Sequence, residues 1–161
     1  MAESIIKDKK ILAVDDEPDV LDVIKELLFE SRLTTASDYS TAKKLLESQD
    51  FDLVILDIMG VNGFELLELC SRRGLPAAML TARSTDVRSL NRSLKLGAVS
   101  FLPKEELPSL REIVIEIFED LAVGKSHWKK LFLRLGPLFK KKFGIVWEQL
   151  EKPDRMRIPY D

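Results

Sequence analysis

The chain alternates short apolar runs with longer stretches in which apolar residues recur every three or four positions. Residues 10–14 (KILAV), 33–36, 53–56, 76–80 and 99–102 are the short runs. They are brief and bounded by polar residues. The run at 53–56 (LVIL) reads as a strand buried on both faces, as in a parallel sheet. Helical patterns lie between the runs. Val20, Ile24, Leu27 and Leu28 follow Pro18, a residue suited to a first helical turn. Ala42, Leu45 and Leu46 form an inner face behind Ser40, the expected cap. A third helix is expected over 63–72. A fourth carries Val87, Leu90 and Leu94, with Ser84 or Thr85 as its cap and Gly97 at its end. Leu110, Ile113, Val114, Ile117, Phe118 and Leu121 give the cleanest helical spacing and leave Ile115 off the buried stripe. Five strand–helix repeats with right-handed crossovers predict an α/β fold, a doubly wound five-stranded parallel sheet.

Composition changes this picture at one place. Of 161 residues, 45% are apolar and 32% charged, which supplies a core and favours one soluble domain, alone or with an appendage. The one cysteine, Cys70, excludes an internal disulfide or a Cys-based zinc cluster, and it reads as a small core residue. The first residues lack an apolar signal core and no run reaches membrane-spanning length, so a cytoplasmic location is expected. The net charge of -2 conceals an asymmetry. Residues 1–122 carry 15 Lys/Arg and 23 Asp/Glu, a net -8, whereas residues 123–161 carry 10 and 4, a net +6. A boundary is therefore expected near Gly124, between a domain at 1–123 and a helical extension at 124–161.

The strand ends carry the candidate chemistry. In an open α/β sheet, function gathers at the carboxyl ends of the strands. Asp15 and Asp16 follow the first strand, Asp57 the third, Thr81 the fourth and Lys104 the fifth. Three carboxylates brought together repel one another, and burial would raise their pKa values further. A hard divalent cation with oxygen ligands, Mg²⁺, removes that penalty. Lys104 adds an ammonium and Thr81 a hydroxyl. Such a set neutralises a transferring phosphoryl group, with a carboxylate as nucleophile. Taken singly, each residue has a plainer explanation: a helix cap for Asp15 and Asp16, a turn for Asp57 or Thr81, solvated surface for Lys104.

The motifs LAVDDEPDV, LVILDIM, AMLTAR and GAVSFLPK, in this order, resemble the receiver domain of two-component response regulators over about residues 9–122. The resemblance implies a CheY-like, flavodoxin-like fold in which Asp57 accepts a phosphoryl group from a sensor histidine kinase. It implies Mg²⁺ held by Asp16, Asp57 and the backbone carbonyl of Met59, with Asp15 acting through a water. Thr81 and Lys104 would hold phosphoryl oxygens, and Phe101 matches the family's switch aromatic. The sequence departs from the family pattern in three places. The turn IMGVNG reaches Gly63 about two residues early and lacks a proline, so a tighter loop is expected beside Asp57. Glu105 follows Lys104 where the family commonly has proline, which puts the placement of Lys104 in doubt. Phe101 lacks a tyrosine hydroxyl. Met59 and Arg83 would flank the path of an attacking water, and an apolar Met59 implies slow self-dephosphorylation.

Residues 124–147 hold seven Lys/Arg and no acid, interleaved with Trp128, Phe132, Phe139, Phe143 and Trp147. Gly136-Pro137 is expected to split any helix here in two. The extension is expected to pack on the acidic domain, within the chain or in a homodimer through the last receiver helices. A protein partner, a membrane surface or nucleic acid are the other readings. His127 is expected at the surface. The 39 residues after position 122 are too few for a DNA-binding output domain, so a stand-alone receiver with an extension is expected. No enzyme activity is expected beyond self-phosphorylation and slow self-dephosphorylation. The rivals are a phosphate-independent interaction module of the same fold, a small phosphotransferase or phosphatase using Asp57, and a nucleic-acid-binding regulator.

Overall fold

The computed structural model describes residues 4–82 and 86–143, apart from the side chains of Lys129, Phe132, Leu135, Leu138, Phe139, Lys142 and Phe143. In chain order the elements are β1 (Lys10–Val14), α1 (Pro18–Leu27), β2 (Arg32–Ala36), α2 (Tyr39–Ser48), β3 (Leu53–Asp57), α3 (Gly63–Arg73), β4 (Ala77–Thr81), α4 (Val87–Lys95), β5 (Ser100–Pro103), a 3-10 turn (Lys104–Ser109), α5 (Leu110–Ala122) and α6 (Trp128–Phe143). The sheet is parallel throughout, in the order β2-β1-β3-β4-β5. That is the doubly wound five-stranded sheet expected, with a helix beyond it. β3 and β4 are buried along their whole length, because helices cover both faces of the central strands. β2 is only half-buried, as its weaker apolar pattern foretells.

Register places the site. β1 pairs with β3 (Val14↔Leu56), β3 with β4 (Asp57↔Leu80), and β4 with β5 (Thr81↔Pro103). All four strands therefore end at one edge, and Asp15, Asp57, Thr81 and Lys104 arrive there together.

Several local expectations need correction. Asp38, not Ser40, caps α2, its carboxylate accepting the Thr41 N–H at 2.8 Å. Asp86 caps α4 through the Ser89 N–H at 3.0 Å; Ser84 and Thr85 lie outside the described residues. In both cases a carboxylate, the stronger acceptor for a helix N-terminus, takes the position expected of a hydroxyl. Leu121 is exposed although it falls on the apolar spacing of α5, one residue before the helix ends. Gly97 (φ 96°) and Gly124 (φ 71°) follow α4 and α5 in the left-handed region, where glycine is least strained.

The largest departure is α6. It runs unbroken through Pro137 for 16 residues. Proline removes one hydrogen bond, to the carbonyl of the residue four before it, here Leu133. Leu133 is 75% exposed, so this turn of α6 lies at the surface. Among the described residues no helix is long and apolar enough to cross a membrane.

Candidate functional site

The site begins with the turn after β1. The Glu17 N–H donates to Asp15 Oδ1 at 2.9 Å, which fixes the turn ahead of Pro18 and α1. Asp15 is fully buried, while Asp16 and Glu17 face outward. Carboxylate oxygens of these three residues lie within 4.8 Å of one another.

The loop after Asp57 is tight, as the shortened sequence implies. The Gly63 N–H closes it onto the Ile58 carbonyl at 2.9 Å, and Asn62 enters the left-handed region at φ 53°. The Gly60 N–H donates to Asp57 Oδ2 at 3.2 Å. A Cβ on Gly63 would overlap the Asp57 carbonyl oxygen, and one on Gly60 would overlap the Asp16 carboxylate. Gly63 is thus required by the approach of backbone, whereas at Gly60 a side chain stands close, a difference that sequence reading alone does not reveal.

Lys104 occupies the centre. Its Nζ lies 2.9 Å from Asp15 Oδ2, 2.9 Å from Glu17 Oε1 and 3.3 Å from Asp57 Oδ1. The missing proline after it therefore does not displace it from the site. Glu17 was the partner that sequence reading missed, although it stands next to the acidic pair. Thr81 follows Leu80, the strand partner of Asp57; among the described residues its buried Oγ1 has no hydrogen-bond partner. Phe101 is fully buried on β5. The Met59 side chain is exposed, and Arg83 lies outside the described residues.

The electrostatics follow from burial. Burial pushes Asp57 above the ordinary carboxylate range; Lys104 and the Gly60 N–H oppose this and Asp16 adds to it. Asp15 is likewise raised by burial, against hydrogen bonds from Lys104 and the Glu17 N–H. Burial works against the Lys104 ammonium, but its bonds to Asp15 and Glu17 and the charge of Asp57 outweigh this and hold it above its usual value. An additional hard cation fits this donor set: it is all oxygen, and two of its carboxylates are buried and only partly neutralised.

The extension also reaches the domain. Trp128 is buried, and its Nε1–H donates to the Ala98 carbonyl at 2.8 Å. Its ring centroid lies 6.2 Å from that of Phe101. His127, expected at the surface, is instead 3% exposed. The spacing gave no sign of this, since its partners Ser100 Oγ (3.1 Å from Nδ1) and Glu116 Oε1 (3.3 Å from Nε2) lie on β5 and α5. Burial lowers its pKa to about 4. The neutral ring, with Nε2–H donating to Glu116 and Nδ1 accepting from Ser100, satisfies both contacts.

Comparison with known proteins agrees with this geometry. The family model of the response regulator receiver domain matches residues 11–115. The chain is 38% identical over 112 residues to the two-component response regulator ORR24 of Oryza sativa, covering 65% of this chain and 18% of that protein. It is 36% identical over 126 residues to the transcriptional regulatory protein CpxR of Klebsiella pneumoniae, covering 75% of this chain and 52% of that one. The chain thus spans well under two thirds of these relatives. Among solved structures, a CheY-like receiver domain protein of Methanospirillum hungatei superposes with a TM-score of 0.58 at 25% identity, covering 69% of this chain and 96% of that one. A response regulator of Thermotoga maritima shares the fold, with a TM-score of 0.60 at 23% identity over 68% of this chain and 96% of that one.

Proposed function

Because the chain belongs to the response regulator receiver domain family, as its match over residues 11–115 shows, we propose that it is a phosphorylation-dependent switch of a two-component system. Asp57 is the acceptor. One of its carboxylate oxygens attacks the phosphorus of a phosphohistidine on a sensor histidine kinase. The P–N bond breaks with its electron pair leaving on the imidazole, and an acyl phosphate forms on Asp57. The Lys104 ammonium and the Thr81 hydroxyl hold the phosphoryl oxygens. Asp16, Asp57 and the backbone carbonyl of Met59 would hold Mg²⁺, with Asp15 contributing through a water. When bound, the cation supplies positive charge against the transferring oxygens.

The observation that carries this reading is the imbalance around Asp57. A buried carboxylate with an ammonium 3.3 Å away sits one strand from a buried hydroxyl that lacks a partner among the described residues. A phosphoryl group supplies acceptors for both donors. The Met59 side chain is exposed and has no polar hydrogen-bonding group to orient an attacking water, so the acyl phosphate should persist. A half-life of only seconds would contradict this. Beyond its own phosphorylation and slow hydrolysis, the chain catalyses nothing; it acts in the cytoplasm on an output protein.

The test is intact-protein mass spectrometry after incubation with Mg²⁺ and acetyl phosphate, beside Asp57→Asn. One phosphoryl adduct is expected, absent without Mg²⁺ and absent in the variant. A folded chain that gains no adduct from acetyl phosphate or a cognate kinase would favour the phosphate-independent module.

A further inference from the structure

An ammonium has three protons to donate. The Lys104 ammonium has three carboxylate partners: Asp15 Oδ2 at 2.9 Å, Glu17 Oε1 at 2.9 Å and Asp57 Oδ1 at 3.3 Å. That matches one acceptor to each proton, so Lys104 can bond a phosphoryl oxygen only if a partner withdraws. The three are not equally able to do so. Asp15 and Asp57 are buried, and a buried carboxylate that loses its cation has no water to replace it. The Glu17 side chain is 60% exposed, and water takes over its oxygen at little cost.

Glu17 reaches Lys104 because of where it stands. It directly precedes α1, with Pro18 after it, and its side chain makes no capping bond to that helix. Glutamate is not among the residues that suit this position as caps. The Glu17 N–H is tied to Asp15 Oδ1 at 2.9 Å, so the turn fixes its backbone. The carboxylate is left to reach across to the residue that follows β5, 87 positions along the chain.

We propose that Glu17 is a positioning residue that keeps a place for the phosphoryl group. It accepts the third proton of Lys104 before transfer and yields that proton to a phosphoryl oxygen. The proposal rests on the phosphoryl-acceptor reading. Only hydrogen bonds are exchanged in this step. Two partners of Lys104 stay, Asp15 and Asp57, and one leaves. Glu17 leaves when the phosphodonor binds, so removing it should ease donor binding and spare the transfer step. It has also left by the time the acyl phosphate exists, and the lifetime of that bond should not depend on it.

The experiment compares full chains of wild type, Glu17→Gln, Glu17→Ala and Asp19→Asn. Intact mass follows the adduct over a range of acetyl phosphate concentrations, with Mg²⁺ in excess. Asp19 is an exposed acid in the first turn of α1 and has no ion pair with Lys104 among the described residues, so its variant reports general charge. The half-saturating donor concentration should fall about two- to five-fold in Glu17→Ala, the range of an exposed ion pair. Glu17→Gln should lie between it and wild type. Saturated rate and adduct lifetime should hold in all of them, and Asp19→Asn should match wild type throughout. Without Mg²⁺ or donor, a cycle of Glu17→Ala with Lys104→Ala, read from denaturant midpoints, should show coupling of about the same two- to five-fold in the folding constant. Additive effects in that cycle overturn the proposal. So does an unchanged half-saturation in Glu17→Ala, an equal fall in Asp19→Asn, or a saturated rate or lifetime that drops with Glu17. A wild type that gains no adduct overturns the acceptor reading itself, and the placeholder with it.

Discussion

The two ends of β5 are built on opposite terms. At its carboxyl end, Lys104 faces three carboxylates, two of them held above their ordinary pKa by burial, and the Thr81 hydroxyl has no partner among the described residues. Along the strand, toward α6, most polar groups are matched: His127 with Ser100 and Glu116, Trp128 with Ala98, Lys130 with Asp120 Oδ1. Asp120 Oδ2, however, is buried without a hydrogen-bond partner among the described residues. Unmatched buried groups cost free energy, and a site that carries them gains when a ligand arrives. A seam matched at most of its groups has little to gain and serves to hold. The chain thus places readiness to bind beside resistance to change, on a single four-residue strand.

The contrast can be broken from either side. Trp128→Ala should have the largest effect, because it empties a core position and strands the Ala98 carbonyl. A loss of about 3–5 kcal/mol is expected, read from denaturant midpoints. Full stability in that variant would mean that α6 is not part of the fold.

Next is the pH dependence of His127. Its folded pKa, about 4, lies below the ordinary 6.5, so above pH 6.5 both states are neutral and nothing is lost. As pH falls from 6.5 toward 4 the unfolded chain takes a proton that the folded chain refuses. Stability therefore declines by up to about 3 kcal/mol and then levels off. Buried Asp15 and Asp57 act in the opposite sense, since their raised pKa values favour the folded state on acidification. Comparing wild type with His127→Gln cancels that contribution, and the variant should show the shallower loss of melting temperature between pH 6.5 and 4.

The smallest effects belong to the loop. Gly63→Ala meets backbone at Asp57 and should cost about 1–3 kcal/mol. Gly60→Ala meets only the movable Asp16 side chain and should cost less than about 1 kcal/mol, while weakening Mg²⁺ binding as followed by titration calorimetry. Equal stability losses in the two variants would contradict this account of the loop.

Much of this was legible in the sequence because it depends on local patterns. Period and strand order sufficed to bring Asp15, Asp57, Thr81 and Lys104 to one edge, since parallel strands must end together. The choice of cap was not legible at α2, where Asp38 and Ser40 are both good acceptors and only backbone geometry selects between them. His127 and Trp128 were hidden for another reason. Their partners are about 11 to 30 residues away, on elements whose mutual placement no periodicity encodes. Pro137 misled because an interior proline removes one hydrogen bond and crowds the preceding turn, a local penalty that does not by itself end a helix seated at its start by Trp128 and Leu131.

The ion pairs between α5 and α6 form two rungs of an antiparallel ladder, Glu116 with Arg134 and Asp120 with Lys130. Each pair of rungs is four residues apart along its helix, about one turn. If α6 slid by one turn in the direction that sets Lys130 opposite Glu116, Arg134 would meet Glu112 and Asp120 would face Ser126, so charge alone does not forbid the shift, but the indole would leave its pocket. No intermediate register keeps both rungs. The buried Trp128 indole, rather than the ion pairs, therefore fixes the register of α6 on α5.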